Sequence, residues 1–339
     1  MSTTMSRATP TAASIRTTSS PPSRPGYNSR RYSSGSRRSS RRSSMREFRG
    51  RTAVVTGAAS GMGLAFAQRF AAEGMNVVLA DIEEPALAAA VTSLRGQGAD
   101  VIGARTDVSS AESVATLADA ARDAFGGVHV LCNNAGVEGY LEGAIWEATH
   151  ADWDWTIGVD FWGVVHGIRT FVPMMIEQGE GGHVVNTASA MGLVTGANMY
   201  GIAKHAVVAL SETLYTDLHA RHTDIGVSVL CPGMVATQLF HGNRNRPEHL
   251  RAQVDAETER RGEEIREHFT TQLQQATDPA AVAELVVDAI RQKTFYVLTD
   301  QDWDADIRRR MDNILTRSDP ALGTSAYEEP AAAATGGRS

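Results

Sequence analysis

The stretch TAVVTGAASGMG, residues 52–63, joins a short apolar run to a glycine-rich turn and then to the start of a helical pattern. Its glycines, Gly57, Gly61 and Gly63, follow the spacing G-x-x-x-G-x-G. Such a turn lets backbone N–H groups approach a pyrophosphate, with the positive end of the helix dipole behind them. Glycine also serves close helix–strand packing, but the position between a predicted strand and a predicted helix favours phosphate binding.

Short β-branched runs alternate with longer helical patterns along the chain after this turn. Strands separated by ten or more helical residues imply right-handed crossovers and a parallel sheet. Continuous apolar runs such as VHVLC (128–132) indicate a sheet that is covered on both faces. We therefore predict an α/β fold, a doubly wound Rossmann-type parallel sheet in three layers. The predicted strands lie at 53–56, 76–80, 101–104, 128–132, 183–186, 226–230 and 295–298, and predicted helices include 61–73 and 111–125.

The chain has no internal repeat and no clean linker within its body, which predicts a single domain over about 45–317. A charged stretch at about 238–275, with most of its charge after 247, is expected to form an exposed helical lid. Residues 318–339 are rich in Ala, Pro and Gly and are predicted to be a flexible tail.

Charge is divided unevenly along the 339 residues, whose net charge is −7. Residues 1–44 carry nine Arg and no acidic residue, while the other 295 residues carry 23 basic and 39 acidic side chains. An acidic body argues against a broad nucleic-acid surface.

No apolar run is long enough to span a membrane. The two cysteines, Cys132 and Cys231, lie in strand-like runs and are expected to be buried reduced thiols in a cytoplasmic protein.

The segment 1–44 is rich in Ser, Thr and Arg and is predicted to be disordered. Three interpretations stay open. It binds nucleic acid or anionic lipid through its basic stretch, it is an organelle-targeting segment, or it is not translated, because Met45 stands just before the first strand.

Asp81 ends the second predicted strand, 24 residues after Gly57. A carboxylate at that place accepts hydrogen bonds from the adenosine ribose hydroxyls and repels a 2′-phosphate, which predicts NAD rather than NADP. The alternative is an ordinary carboxylate at the start of a loop.

An ordered set of motifs resembles the short-chain dehydrogenase/reductase family over about residues 48–298. The set comprises TGAASGMG at 56–63, Asp107-Val108, NNAG at 133–136, a serine after the fifth strand, YGIAK at 200–204 and PGMVAT at 232–237. The resemblance implies a dinucleotide-dependent oxidoreductase with a Ser-Tyr-Lys site.

The residues themselves support proton-transfer chemistry. Tyr200 and Lys204 are four apart on a predicted helix and share one face. A phenol is a poor base near neutral pH, and a nearby ammonium is expected to lower its pKa. Tyr200 would then exchange a proton with the substrate oxygen, which Ser189 would orient by a hydrogen bond. In isolation, such a pair is also typical of an ordinary helix surface.

The resemblance also implies a set of cofactor-binding residues. Asn134, Ala135 and Gly136 are expected to line the cleft, Asp107 to meet the adenine, and Val235 and Thr237 to contact the carboxamide. The full set expected to bind the cofactor is Gly57, Ser60, Gly61, Met62, Gly63, Asp81, Asp107, Val108, Asn134, Ala135, Gly136, Tyr200, Lys204, Pro232, Gly233, Val235 and Thr237.

Two positions depart from the family pattern. Asp160 stands where the family usually has an Asn that anchors a water of the proton relay, so we expect its charge to pair with Lys204. Ser189 precedes Tyr200 by only eleven residues, a slightly short gap. Thr187 is therefore kept as a rival for the serine role, ahead of Thr195.

An apolar pocket wall is expected to favour a hydrophobic secondary alcohol or ketone. The residues proposed for that wall are Val137, Met191, Leu193, Val194, Met234 and Phe240.

No metal site is expected, since His166, His205 and His219 lack a ligand-like spacing. In this family the helix around Asp160 and the helix of Tyr200 often form a dimer face, so we expect a homodimer or homotetramer.

Three functions are carried forward: an active NAD-dependent alcohol dehydrogenase, a weakly active or inactive dinucleotide-binding sensor or scaffold, and an enzyme tethered to nucleic acid or membrane by its basic tail.

Overall fold

The computed structural model describes residues 45, 47–196, 198–251 and 255–321. The predictions for the tail 1–44 and for residues after 321 fall outside this part of the chain and remain predictions.

A parallel sheet forms the centre of the described chain. The strands are β1 (Thr52–Thr56), β2 (Asn76–Asp81), β3 (Val101–Arg105), β4 (Val130–Asn133), β5 (Gly182–Thr187), β6 (Ile225–Cys231) and β7 (Tyr296–Leu298). They follow the order β3-β2-β1-β4-β5-β6-β7 in the sheet, and every neighbouring pair is parallel. The order reverses between β1 and β4, so the carboxyl ends of these two strands frame the crevice where open α/β sheets bind ligands.

Helices cover both faces of this sheet. Alternate residues of a strand point to opposite faces. Val55 therefore packs in the cluster that includes Phe66 and Ile290, while Val54 packs on the other face with Leu117 and Phe171. The helices are α1 (Gly61–Ala72), α2 (Glu84–Gly96), α3 (Ala111–Phe125), α4 (His150–Ile157), α5 (Gly163–Gln178), α6 (Asn198–Ala220), α7 (Ala256–Leu273), α8 (Pro279–Gln292) and α9 (Asp304–Thr316). The predicted three-layer, doubly wound sheet is confirmed.

Three short segments outside the α-helices and strands position the site. A turn of π-helix, Gly158–Trp162, joins α4 to α5 without a break in the backbone. A 3₁₀ segment, Leu239–Asn245, comes after the loop 232–238 that follows β6, and another lies at Glu248–Leu250. Farther along, α7 packs back on this region, since Phe269 and Leu273 lie in one buried cluster with Phe240.

Among the described helices, none combines the length and the apolar character that a membrane crossing needs.

Candidate active site

The glycine turn after β1 is as tight as its sequence suggests. Gly57 and Gly61 have φ values of 65° and 52°, in the left-handed region that favours glycine. A β-carbon on Gly63 would lie 2.0 Å from the carbonyl oxygen of Gly57, so this glycine serves close packing of α1 on the turn. The Ser60 side chain makes no hydrogen bond to the helix backbone although Ser60 is the N-cap of α1. The open N-terminus of α1 thus suits a phosphate group.

Asp81 fixes the other side of this turn. Its carboxylate accepts hydrogen bonds from the backbone N–H groups of Ala59 at 2.9 Å and Glu83 at 3.0 Å. The carboxylate therefore stands at the mouth of the glycine turn, where the adenosine ribose of a dinucleotide would lie.

Thr56, which the sequence argument did not single out, ties the NNAG motif to β1. Its hydroxyl accepts hydrogen bonds from the N–H groups of Asn134 at 2.9 Å and Ala135 at 3.1 Å. The Asn134 side chain donates back to the carbonyl of Thr56 at 3.0 Å. These contacts hold residues 134–136 across the floor of the cleft.

Asp160 and Lys204 form a buried ion pair beneath that floor. The Lys204 Nζ lies 3.3 Å from Asp160 Oδ1 and donates to the carbonyl oxygen of Thr187, also at 3.3 Å. Asp160 Oδ1 accepts the N–H of Val137 at 3.0 Å, whereas Oδ2 has no partner among the described residues. A β-carbon on Gly136 would lie 2.8 Å from Asp160 Oδ1, so glycine at this position leaves room for the Asp160–Lys204 ion pair. The pairing of Asp160 with Lys204 follows the expectation from the sequence.

Burial raises the pKa of the Asp160 carboxyl, and the attraction of Lys204 opposes that rise. The π-helical turn carries this residue into the interior, where it is fully buried. A buried charge pair stays ionised only when it is well compensated, and here one carboxylate oxygen remains without a donor in the described chain.

Tyr200 lies one helical turn before Lys204 on α6, with the Lys204 Nζ 5.2 Å from the centre of its ring. Burial raises the pKa of the Tyr200 phenol, the negative charge of Asp160 raises it further, and a hydrogen bond with Ser189 opposes both. The lowered pKa expected from the sequence is therefore wrong for this site, because burial raises the pKa of the phenol and the charge of Asp160 adds to that rise.

Ser189 and Thr187 occupy different places. The Ser189 hydroxyl lies beside Tyr200, accepts the N–H of Met191 at 3.1 Å and reaches the carbonyl of Pro232 at 3.5 Å. The Thr187 hydroxyl instead faces the Asn134 side chain at 3.5 Å. The geometry thus favours Ser189 as the partner of Tyr200, and Thr195 donates instead to the carbonyl of Ala321 at 3.5 Å.

Two adjoining cavities meet at Tyr200. One is a long cleft over the carboxyl ends of β1 and β4, and the other is a mainly apolar pocket beneath α7. Both cavities are lined by Tyr200, Met62, Thr237 and Leu239. Of the residues predicted to bind the cofactor, the cleft is lined by Gly57, Ser60, Gly61, Met62, Asp81, Asp107, Val108, Asn134, Ala135, Gly136, Tyr200, Lys204 and Thr237.

The other predicted cofactor residues lie elsewhere. Pro232, Gly233 and Val235 line the apolar pocket rather than the cleft, and Gly63 packs inside the turn. The expected pocket wall is also only partly right. Met191, Met234 and Phe240 line the pocket, but Val137 lines the cleft, Leu193 lines a separate surface cavity, and Val194 is buried apart from both.

Sequence reasoning missed residues that reach the site from distant segments. Phe269, Gln272, Leu273 and Trp303 complete the apolar pocket. Glu83, Arg244 and Asn245 line the outer end of the cleft. The apolar positions of α7 in an otherwise charged helix were the signal available for Phe269 and Leu273, whereas nothing local marks Trp303 or Arg244.

These residues fit NAD as the cofactor. The cleft combines a glycine turn with no room for side chains, an open helix N-terminus for the pyrophosphate and a carboxylate at the ribose position. Lys204 and Asn134 line the inner end, where the nicotinamide ribose would be held.

Known proteins of one family resemble this chain in sequence and in fold. The sequence model of the family described as short chain dehydrogenase matches residues 51–248. The chain is 42% identical over 194 residues to 1-deoxy-11-beta-hydroxypentalenate dehydrogenase of Streptomyces exfoliatus, covering 57% of this chain and 70% of that protein. It is 36% identical over 200 residues to 3beta-hydroxysteroid dehydrogenase 2 of Eggerthella lenta, covering 58% and 75%.

Among solved structures, a short chain dehydrogenase/reductase from Burkholderia phymatum in complex with NAD has a TM-score of 0.77 and 44% sequence identity, covering 82% of this chain and 99% of that one. A family match over more than half of the chain, joined to this likeness in sequence and fold, shows that the chain belongs to the short-chain dehydrogenase/reductase family of NAD(P)-dependent oxidoreductases.

Proposed function

We propose that this protein oxidises a hydrophobic secondary alcohol, or reduces the corresponding ketone, with NAD and a Ser189-Tyr200-Lys204 site. The observation that carries the proposal is the position of Tyr200, which belongs at once to the cofactor cleft and to the apolar pocket. A proton-transferring group is needed where the substrate carbon meets the cofactor, and Tyr200 lies at that junction.

Each catalytic residue has a role that its contacts support. Ser189, which lines the apolar pocket together with Tyr200, binds the substrate oxygen and orients it. Tyr200 takes the hydroxyl proton during oxidation and returns it during reduction. Lys204, anchored by the carbonyl of Thr187 and by Asp160, places a positive charge beside the phenol and near the cofactor ribose. Bound NAD supplies the hydride acceptor.

Asp160 acts behind Tyr200 as a positioning residue. It holds Lys204 and the Val137 backbone, and its Oδ2, which has no partner among the described residues, can accept a hydrogen bond from water. Its negative charge favours the protonated phenol, so alcohol oxidation should need a higher pH than a neutral residue at 160 would require.

The substrate class follows from the pocket wall. Phe240 and Phe269 stack nearly parallel, 13° apart with ring centres separated by 4.8 Å, and Met191, Met234 and Trp303 complete the lining. No Arg or Lys lines this pocket among the described residues, so it suits a largely hydrophobic molecule rather than a phosphorylated or carboxylated one. The names of the two relatives, which specify a hydroxypentalenate and a hydroxysteroid, support a hydroxyl-bearing substrate.

The segment 238–275 serves as the lid of this pocket in our proposal. Its helix α7 brings Phe269 and Leu273 over the apolar side, while Arg266 reaches Glu138 at 3.1 Å on the body. A lid of this kind excludes water from the reacting atoms.

One observation favours the alternative of a dinucleotide-binding protein with little turnover. The Asp160–Lys204 pair withholds part of the positive charge that would activate Tyr200. Steady NADH formation that Tyr200→Phe abolishes would eliminate this alternative.

We also propose a homodimer or homotetramer built on α5 and α6. Four large side chains on or beside these two helices have relative solvent exposures between 43% and 47%. They are Trp162, Ile176, Ile202 and Tyr215. Burial of these side chains in a second copy would remove apolar area from water. Sedimentation velocity of the protein and of Ile202→Glu tests the assignment, and a wild-type monomer would refute it.

The decisive experiment is a spectrophotometric screen of hydrophobic secondary alcohols with NAD and NADP in parallel, for the wild type and Tyr200→Phe. We expect NADH formation, a preference for NAD, and a loss of kcat of about a hundredfold or more in the variant. Best turnover with a phosphorylated sugar would contradict the proposed substrate class, and full activity of Tyr200→Phe would contradict the catalytic assignment.

A further inference from the structure

The outer mouth of the cofactor cleft is spanned by a short irregular segment, residues 239–251, which we call the strap. Leu239, Gly242, Arg244 and Asn245 of the strap line the cleft. The strap thus forms part of the boundary that a dinucleotide must pass when it enters or leaves.

Two neighbouring strap residues hold the same carboxylate oxygen. Asn245 donates to Glu83 Oε1 at 2.7 Å, and the Arg244 guanidinium pairs with that oxygen as well. Arg244 also donates to the carbonyl of His241 at 2.6 Å, which fixes its own side chain within the strap. Glu83 lies two residues after Asp81, at the adenosine end of the cleft.

A second ion pair ties the strap to another wall of the cleft. Arg246 lies 2.7 Å from Asp152 of α4, and its side chain is only 11% exposed. Helix α4 contributes Trp155 to the lining of the cleft. Because β2 and β4 flank β1 on opposite sides, contacts to the turn after β2 and to the helix after β4 anchor the strap on both sides of the cleft.

The Glu83 contact is the weaker anchor. Arg244 and Glu83 have side chains that are 37% and 27% exposed, against 11% and 5% for Arg246 and Asp152. Burial alone would raise the pKa of the Glu83 carboxyl, but the hydrogen bonds from Asn245 and Arg244 hold it below its ordinary value. Water can compete for a half-exposed pair more easily than for a buried one, so the strap should detach first at Glu83.

We propose that Arg244 and Asn245 are positioning residues that latch the strap onto Glu83 and so slow the escape of bound dinucleotide. The proposal rests on the proposed function, since it assumes that NAD lies in the cleft. The latch opens and closes at the adenosine end, while the Arg246–Asp152 pair keeps the strap attached to the body.

The dissociation rate of NADH tests the latch. NADH fluorescence is followed in stopped flow after mixing the complex with excess NAD, for the wild type, Glu83→Gln, Arg244→Gln and the double variant. We expect each single variant to release NADH about three- to tenfold faster, and the double variant to be no faster than Glu83→Gln, because Arg244 has already lost its charged partner in that variant. In about 1 M NaCl the wild type should approach the variants, since salt screens a half-exposed pair.

Glu84→Gln is the matched control. Glu84 is the next residue, carries the same charge and pairs at 3.6 Å with Arg105 on the surface, where the two side chains are 69% and 58% exposed. Its NADH release should equal that of the wild type. If Glu83→Gln behaves like Glu84→Gln, the latch is refuted while the proposed function stands. If the wild type binds no NADH, the proposed function fails and the latch fails with it.

Discussion

Asp160 determines how this site handles a proton. It is fully buried, faces Lys204 at 3.3 Å and leaves Oδ2 without a donor among the described residues. Its charge acts on Tyr200 as well, raising the pKa of the phenol together with burial. A single carboxylate therefore stabilises the lysine that the tyrosine needs and opposes ionisation of the tyrosine itself.

Replacement of Asp160 by Asn should shift the pH dependence of alcohol oxidation. Asparagine keeps an oxygen for the Val137 N–H but removes the charge that raises the pKa of Tyr200. Because the base is the ionised phenol, the rise of kcat with pH should move to lower pH. The measurement is kcat between about pH 6 and 10 with saturating alcohol and NAD.

The control for this change is Asp154→Asn, on the exposed side of α4. It removes the same charge near the same helix, and its pH profile should match the wild type. An Asp160→Asn profile that also matches would show that the charge at 160 is not coupled to the reacting proton.

At the scale of elements, α7 joins a charged outer face to an apolar edge. Its sequence AETERRGEEIREHFTTQL is dominated by acidic and basic residues, yet Phe269 and Leu273, four residues apart, are buried against Phe240. The stacking of Phe269 on Phe240 places a flat aromatic surface over the pocket. This helix therefore contributes to substrate selection as well as to closure.

Phe269→Ala should weaken selection for bulky hydrophobic alcohols. The change removes one ring of the stacked pair, and the lost contact corresponds to about a tenfold decrease in kcat/KM. A short alcohol that does not reach this wall should lose much less. The measurement is the ratio of kcat/KM for the two alcohols, with exposed Glu267→Ala on the same helix as the control. Equal losses for both alcohols would mean that Phe269 only stabilises the lid.

The elements that follow a periodic pattern were predictable, and the irregular ones were not. Helix α3 begins and ends where its apolar spacing predicted, at Ala111 and Phe125, because the pattern is local. The π-helical turn at 158–162 has no comparable signature, since it depends on how α4 and α5 pack around Asp160. The pairing of Asp160 with Lys204 was nevertheless predictable, because both positions were identified by motif.

For the whole molecule, the sequence predicted the sheet because seven apolar runs with helical spacers admit few topologies. It did not predict which distant segments close the pocket. Trp303 reaches the site only after β7 has returned the chain to the sheet, and the contact of Arg244 with Glu83 joins positions 161 apart. Such contacts depend on tertiary packing, which no local pattern encodes.

A buried histidine should control part of the acid sensitivity of the fold. His183 in β5 is fully buried, with Nε2 2.8 Å from the Ser228 hydroxyl. Burial, aided by the charge of Lys293, lowers its pKa from 6.5 to about 3. The unfolded chain therefore binds a proton that the folded chain excludes between these two values, and folding weakens as pH falls through that range.

We expect the free energy of unfolding to fall below pH 6.5 by up to about 1.4 kcal/mol per pH unit from this group alone. His183→Gln keeps a hydrogen-bonding group for Ser228 but does not titrate, so its slope in that range should be shallower. Urea unfolding at several pH values measures both slopes, with exposed His249→Gln as the control. Parallel slopes for the wild type and His183→Gln would contradict the assignment.

The family match ends at residue 248, whereas Phe269, Leu273 and Trp303 of the pocket come after it. One part of the pocket wall is thus carried by a later stretch of the chain than the groups that move the proton, while Met191, Met234 and Phe240 of the same wall lie within the matched residues. Grafting residues 256–303 from a relative should therefore change part of the substrate selectivity while leaving the redox chemistry in place.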